Sequence, residues 1–260
     1  MGDDQPVLYE RDGPVVTITM NRPEVLNAIN GEMRQGLNRA WTRFLEDPDA
    51  WVAVVTGRGR AFCAGADLQD GAGAVGSWPG TFWEIPTLNS LESGWEVWKP
   101  TIAAVNGPCI GYGLTGALAC DFLLAAEGAT FAFPEVTLGV PTIVGALRLP
   151  PRVGWSDAME LLLTGDPVDA ARARELGLAW RVVPDDDLLD EALAFARRLT
   201  RAAPLAQRAT KEMAHRAREL PWVDAVRMGE TMRRLVAASA DAAEGRAARA
   251  EGRAPDWRAE

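Results

Sequence analysis

Thr101-Ile102-Ala103-Ala104-Val105-Asn106-Gly107-Pro108-Cys109-Ile110-Gly111-Tyr112-Gly113-Leu114-Thr115-Gly116-Ala117-Leu118-Ala119-Cys120 is the stretch that decides the fold. Its first five residues are apolar or β-branched, which reads as a buried strand. A glycine-bearing turn follows. Gly113–Cys120 can then close a short helix, and Phe122-Leu123-Leu124-Ala125-Ala126 returns as a strand. Strand, glycine turn, helix and strand again describe a layered α/β core.

The same theme runs on either side. Val15–Met20 alternates like a strand, and Asn30 can cap a helix in which Met33, Leu37, Trp41, Phe44 and Leu45 recur at helical spacing. Trp51–Thr56 reads as a buried strand ending at Gly57. Residues 71–80 are glycine-rich and predict a loop, and a helix is expected near 81–98. This ββα-like repetition lacks a fixed period, so a spiral or layered α/β core fits better than a helical array. After Pro184 the text becomes rich in alanine and arginine: Leu188–Leu199, Leu205–Leu220 and Trp222–Ala238 predict helices, separated by Pro204 and Pro221. The expected division is a core over 1–194 and a helical region over 195–260, whose apolar stripes must be buried on the core or on another subunit.

Composition narrows the chemistry. The 260 residues include 27 basic and 36 acidic side chains, and the net charge of −9 argues against a dedicated nucleic-acid binder. Residues 195–260 are the exception: 14 basic and 9 acidic side chains give +5, which could meet phosphates or an acidic neighbour. One histidine, His215, and three cysteines, Cys63, Cys109 and Cys120, leave little for a zinc site or an imidazole-based triad, so no metal is expected. His215 lies in an arginine-rich segment and reads as a surface residue; Cys63 has no basic partner to activate it and reads as packing. With no CxxC pair, no signal-like N-terminus and no long apolar run, the expectation is a reduced, cytoplasmic protein with no membrane span.

Two glycine-bearing turns are the candidate site. Gly111-Tyr112-Gly113-Leu114-Thr115-Gly116 spells GxGxxG, with Glu135 about 20 residues on, as in a dinucleotide fingerprint. Asn106, Gly107 and Pro108 separate it from its strand, however, and that argues against the dinucleotide reading. Ala61-Phe62-Cys63-Ala64-Gly65-Ala66-Asp67-Leu68 is the second turn, following the strand at 51–56. Two such loops can expose backbone N–H groups to one oxygen, the arrangement of an oxyanion hole.

Over essentially its whole length the chain resembles the enoyl-CoA hydratase/isomerase (crotonase) family. Asn21-Arg22-Pro23 with Asn27-Ala28, the turn 61–68, the run from Ala104 to Asp121, and Phe133-Pro134-Glu135-Val136 with Leu138-Gly139 match its signatures in order and spacing. The resemblance implies a crotonase-like spiral of ββα repeats with a C-terminal helical domain, assembled as a homotrimer or dimer of trimers. It implies acyl-CoA thioester substrates, with coenzyme A entering as part of the substrate and no separate cofactor. The N–H groups of Ala66 and Tyr112 would hold the enolate oxygen and Glu135 would move the proton, while Ala64, Gly65, Asp67, Leu68, Gly111, Thr115, Pro134 and Arg253 would contact substrate.

The departures bear on which reaction is run. Family hydratases carry two glutamates; Glu135 matches the second, but the first falls on Thr115, whose hydroxyl could hold a water and cannot act as a carboxylate base. A lone Glu135 among Phe131, Phe133 and Pro134 can still shuttle a proton, as in family isomerases; the bland alternative is that it pairs with Arg148. Glu84, Glu92 and Glu96 are candidates for a second acid. Val140–Gly145 departs from the family's glycine-rich helix start and is one residue shorter, and the tail places Arg249 and Gly252 where an aromatic and a lysine are usual. Arg22, Arg58, Arg60 and the basic tail are candidates for a phosphate. The expectation is a hydratase-like enzyme, with an isomerase or a catalytically silent acyl-CoA-binding protein as the alternatives.

Overall fold

The computed structural model describes residues 5–69 and 95–260. Apolar runs of five or six residues set its centre. β1 (Val7–Asp12) and β2 (Val15–Met20) form an antiparallel hairpin around Gly13, whose φ of 56° suits a residue without Cβ. α1 (Gly31–Glu46) starts where the Asn30 side chain accepts the N–H of Met33, and it leads to β3 (Val52–Gly57), which pairs parallel to β2. β4 (Thr101–Val105) and β6 (Phe122–Ala126) extend the sheet, with β5 (Cys109–Ile110) and α2 (Tyr112–Leu118) between them.

Beyond β6 the chain runs through β7 (Thr130–Ala132), α3 (Val144–Arg148), α4 (Pro150–Val153), α5 (Trp155–Thr164), β8 (Val168–Asp169), α6 (Ala170–Glu175) and β9 (Arg181–Val183). The large sheet has the order β1-β2-β3-β4-β6-β9, and β5-β7-β8 forms a small second sheet. β4 and β5, β6 and β7, then β8 and β9 each divide between the two sheets, so the chain climbs as a spiral.

Period-two alternation sends apolar residues to both faces of β3. Val52 and Val54, with Val15, Ile102, Ala104 and Leu124, meet α7 (Leu188–Leu199) through Leu188, Ala192, Phe195 and Ala196. Ala53 and Val55, with Val16, Ile18 and Ala103, meet Met33, Trp41 and Phe44 of α1 and Leu114 and Ala117 of α2. Residue 195 therefore lies inside a helix that covers the sheet. α8 (Pro204–Arg216), α9 (Trp222–Ala237) and α10 (Ala240–Glu251) follow. No helix among the described residues is long and apolar enough to cross a membrane.

The helix expected over 81–98 needs correction at its end. Trp95–Trp98 have no regular structure, because the chain is drawn out there: Lys99 is buried with its Nζ donating to the carbonyls of Phe44 (2.5 Å) and Asp47 (2.6 Å) at the end of α1, and Pro100 follows. The rest of that helix, the glycine-rich loop at 71–80, Glu84 and Glu92 lie outside the described residues. Strand Val7–Asp12, the small sheet and α10 went unforeseen.

Candidate active site

α2 is held at both ends. Asp121, just past it, accepts from the N–H (2.8 Å) and hydroxyl (3.0 Å) of Thr101 at the start of β4 and from Lys211 (2.7 Å). Arg152 donates to the carbonyls of Leu118 (3.2 Å), Cys120 (2.8 Å) and Asp121 (3.4 Å), so a cation satisfies the end of the helix where carbonyls lack partners. At the other end Gly111, φ 51° and ψ −112°, turns the chain out of β5 and donates to the Ala132 carbonyl (2.9 Å).

The turn 61–68 is fastened between two other segments. Cys63 donates to Pro108 O (3.0 Å) and accepts from Ile110 N–H (2.9 Å) on one side. On the other, Ala64 donates to Leu26 O (3.0 Å), Ile29 donates to Gly65 O (2.8 Å) and Asp67 donates to Ile29 O (3.1 Å). Asn27, fully buried at φ 57°, donates to Arg58 O (3.0 Å) and Ala61 O (2.8 Å) and accepts from Arg22 N–H (2.9 Å). Asn106 donates to Gly59 O (2.8 Å) and accepts from Gly57 N–H (3.2 Å). Arg22 closes the clamp, donating to Ala28 O (2.7 Å) and pairing with Asp67 at 3.1 Å.

These bonds bring the two loops together. A Cβ on Gly65 would lie 3.2 Å from Ile110 O and 4.0 Å from the Tyr112 nitrogen, and one on Gly113 would lie 2.6 Å from Cys63 Cβ. Among the described residues, no hydrogen bond engages the N–H of Ala66 or of Tyr112, the latter being the first residue of α2. Glu135 reaches the same place from a 3₁₀ turn over Pro134–Leu138. Its Oε1 is 2.9 Å from where a Gly111 Cβ would stand, its Oε2 is buried without a hydrogen-bond partner, and among the described residues it forms no ion pair. Arg148 instead donates to Thr115 O (3.2 Å). Backbone donors and one carboxylate thus share one corner, a combination suited to stabilising an oxyanion while a proton moves.

The remaining expected residues divide. Gly65 and Gly111 meet at this corner, Ala64 and Pro134 adjoin Gly65 and Glu135 in the chain, and Thr115 is buried one helical turn into α2. Asp67 is tied to Arg22, which leaves Arg22 a structural tether in place of the phosphate ligand expected of it, while Leu68 is 74% exposed. Arg58 and Arg60 are exposed beside the turn. Arg253 lies past α10, where it pairs with Glu244 and Glu251. Glu96 pairs with Arg216 at 3.1 Å. The Tyr112 ring, with Arg34 stacked 5.1 Å away, walls a cavity of about 50 Å³ with Ile29, Leu37, Trp41 and Phe62. Burial pushes the Cys63 thiol up to about 12, which makes it a poor nucleophile. His215 is on the exposed side of α8 beside Trp98; partial burial, then Lys211, lower its pKa.

Sequence reasoning missed the clamp itself. Asn27 and Asn106 stood out only as members of signatures, although an asparagine at a turn can hold a left-handed backbone and cap neighbouring carbonyls.

Known proteins resemble this chain end to end. The family description enoyl-CoA hydratase/isomerase matches residues 10–260. A probable enoyl-CoA hydratase of Mycobacterium bovis is 39% identical, covering 97% of this chain and 98% of its own. A carnitinyl-CoA dehydratase of Salmonella typhi is 38% identical, covering 95% and 96%. The crystal structure of an enoyl-CoA hydratase from Mycobacterium tuberculosis superposes with a TM-score of 0.89 at 36% identity, covering 99% of this chain and 100% of the other. Spiral, paired loops and relatives agree: the chain belongs to the enoyl-CoA hydratase/isomerase family and has its crotonase fold.

Proposed function

We propose that this protein adds water to an enoyl-CoA thioester, with the N–H groups of Ala66 and Tyr112 as oxyanion donors and Glu135 as the proton shuttle. The observation that carries the reading is the meeting of Glu135 with Gly111 beside Gly65, which brings a carboxylate to the two loops whose Ala66 and Tyr112 amides are unengaged among the described residues. Water attacks C3 as one of its protons passes to Glu135, the C2–C3 π pair becomes the C1–C2 double bond of the enolate, and the carbonyl π pair moves onto the thioester carbonyl oxygen, where the amides hold the charge. The enolate collapses, C2 takes the proton back from Glu135, and a 3-hydroxyacyl-CoA leaves. Ala64, Gly65, Gly111 and Pro134 line the reacting end, and Asp67 keeps its loop in place. Leu68 and the exposed Arg58 and Arg60 offer apolar and cationic contact to the coenzyme. Relatives named as hydratases and dehydratases support water addition.

A second reading has its own support. By the resemblance Thr115 falls where family hydratases carry their first glutamate, and one carboxylate is enough to shift a double bond by removing and returning a proton. Turnover of a panel of 2-enoyl- and 3-enoyl-CoA esters by wild type and Glu135→Gln separates the readings. Hydration lost in Glu135→Gln supports the first, and 3-enoyl substrates turned over without water addition support the second. Tight binding with no turnover anywhere points to a silent acyl-CoA binder. Association into trimers or a dimer of trimers belongs to the same reading. Exposed Trp155 on α5 and Trp222, Val226 and Leu235 on α9 give copies apolar surface to share, and light scattering measures the outcome.

A further inference from the structure

A cleft of about 620 Å³, the size of a small-ligand site, lies between the carboxyl end of α2, the helices α3 and α4, the segment 95–98 and the end of α8. Its wall carries Arg148, Arg152, Lys211, Arg216 and Arg218 against three carboxylates, an excess of two positive charges in a chain whose net charge is −9. Two of the cations are matched. Lys211 pairs with Asp121, and Arg216 pairs with Glu96 and with Glu212, which lies outside the wall. The side chain of Arg218 is exposed and forms no hydrogen bond or ion pair among the described residues. Cations at helix ends account for part of the cluster, since Arg152 covers the last carbonyls of α2 and Arg216 stands in the last turn of α8. They do not account for two guanidinium groups from different elements standing within each other's field: burial lowers the Arg152 pKa, and the charge of Arg218 adds to that. His215, on the same wall, feels the same excess. After burial, Lys211, Arg218 and Arg152 all lower its pKa, and Asp121 opposes them.

We propose that this cleft is a binding site for a phosphoryl group, with Arg152 and Arg218 as its cations and the imidazole of His215 beside them. A tetrahedral anion of charge −2 balances the excess on the wall, and guanidinium forks suit its oxygens. Arg152 makes three bonds to carbonyls, which leaves two of its five N–H groups, and Arg218 brings all five. The site is independent of the reaction at the corner, because the length of α2, seven residues or about 10 Å, separates the Tyr112 amide from this end of the helix. Free phosphate and the phosphates of coenzyme A offer the same chemistry, and the experiment separates them.

His215 is the one histidine of the sequence, so its Hε1 proton gives a single NMR signal from the wall of the cleft. Inorganic phosphate added at pH 7, with sodium chloride of equal ionic strength as the control, is expected to move that signal saturably with a midpoint below about 10 mM. The movement is towards the imidazolium position, because a nearby anion favours the charged ring. In Arg218→Gln the midpoint rises about tenfold or more. Arg234→Gln, which removes an exposed charge on α9, leaves it within about twofold. Coenzyme A titrated in the same way identifies the source: saturation at lower concentration than phosphate, lost in Arg218→Gln, assigns the site to the coenzyme, and saturation at equal or higher concentration assigns it to a free anion. A signal that moves alike with phosphate and with chloride overturns the proposal. So does a midpoint unchanged in Arg218→Gln, or one raised equally in Arg234→Gln.

Discussion

A methyl group added to Gly111 would stand 2.9 Å from Oε1 of Glu135. Glycine is required there twice, for its φ of 51° and for the room it leaves the carboxylate. Gly111→Ala is expected to cost about 1 kcal/mol in unfolding free energy and about 100-fold in kcat, since displacing a catalytic group by about an ångström has that scale of effect. Chemical denaturation beside steady-state kinetics checks the pair. A variant as active as wild type would show that Glu135 does not work from this position.

Arg22 and Asp67, 3.1 Å apart and largely shielded from water, brace the residue next to the Ala66 amide. Removing either partner takes a charge-assisted hydrogen bond from the other, at about 1–3 kcal/mol. Arg22→Met and Asp67→Asn are each expected to lower kcat more than they raise KM, and a double-mutant cycle in stability should return a coupling of about 1 kcal/mol. Additive single effects would mean that the pair contributes nothing as a pair.

Lys99 makes stability depend on alkaline pH. Burial, and then the nearby Arg208, lower its pKa to about 8, against about 10.4 in an unfolded chain. Between those values the unfolded state binds more protons, so stability relative to Lys99→Met rises with pH from about 8 to about 10.4 and is level on either side. Denaturant midpoints of both proteins at pH 7, 8.5 and 10 measure the difference. A constant gap would mean that the two carbonyls at the end of α1 keep the ammonium charged.

Glu244 binds the C-terminal tail. Hydrogen bonds from Arg253, then from the Asp256 N–H, hold its carboxyl down to about 2, below the usual carboxylate range. The stabilisation is present above about pH 4.5 and is lost as pH falls towards 2. Trp257 donates to Arg201 O (3.0 Å) and reports on the docked tail. The fluorescence that Trp257→Phe removes, one of ten tryptophans, is expected to shift in Glu244→Gln at neutral pH and in wild type as pH falls towards 2, and an unshifted difference would place the tail's anchor elsewhere.

What could be read from sequence followed the length and patterning of each segment. Thr101–Val105 and Phe122–Ala126 stand as read, because five-residue apolar runs between turns have few other uses. The small sheet was invisible, since strands such as Cys109–Ile110 and Val168–Asp169 are too short to carry a period. Val7–Asp12 hid because only Val7 of its residues is buried. Glu135, Ala66 and Tyr112 could be named from motifs, whereas the clamp through Asn27, Asn106, Arg22 and Asp67 is made of single bonds between distant turns.

The sequence holds only two lysines, Lys99 and Lys211, and the fold spends both internally, one on the carbonyls of α1 and the other on Asp121. Cys63, Cys109 and Cys120 are buried as well, their thiols held protonated by burial. Thioesters acylate accessible amines and thiolates without any enzyme. A protein that handles activated acyl groups meets a standing risk of acylation of its own side chains, and here both lysines and all three cysteines are held away from such a reaction.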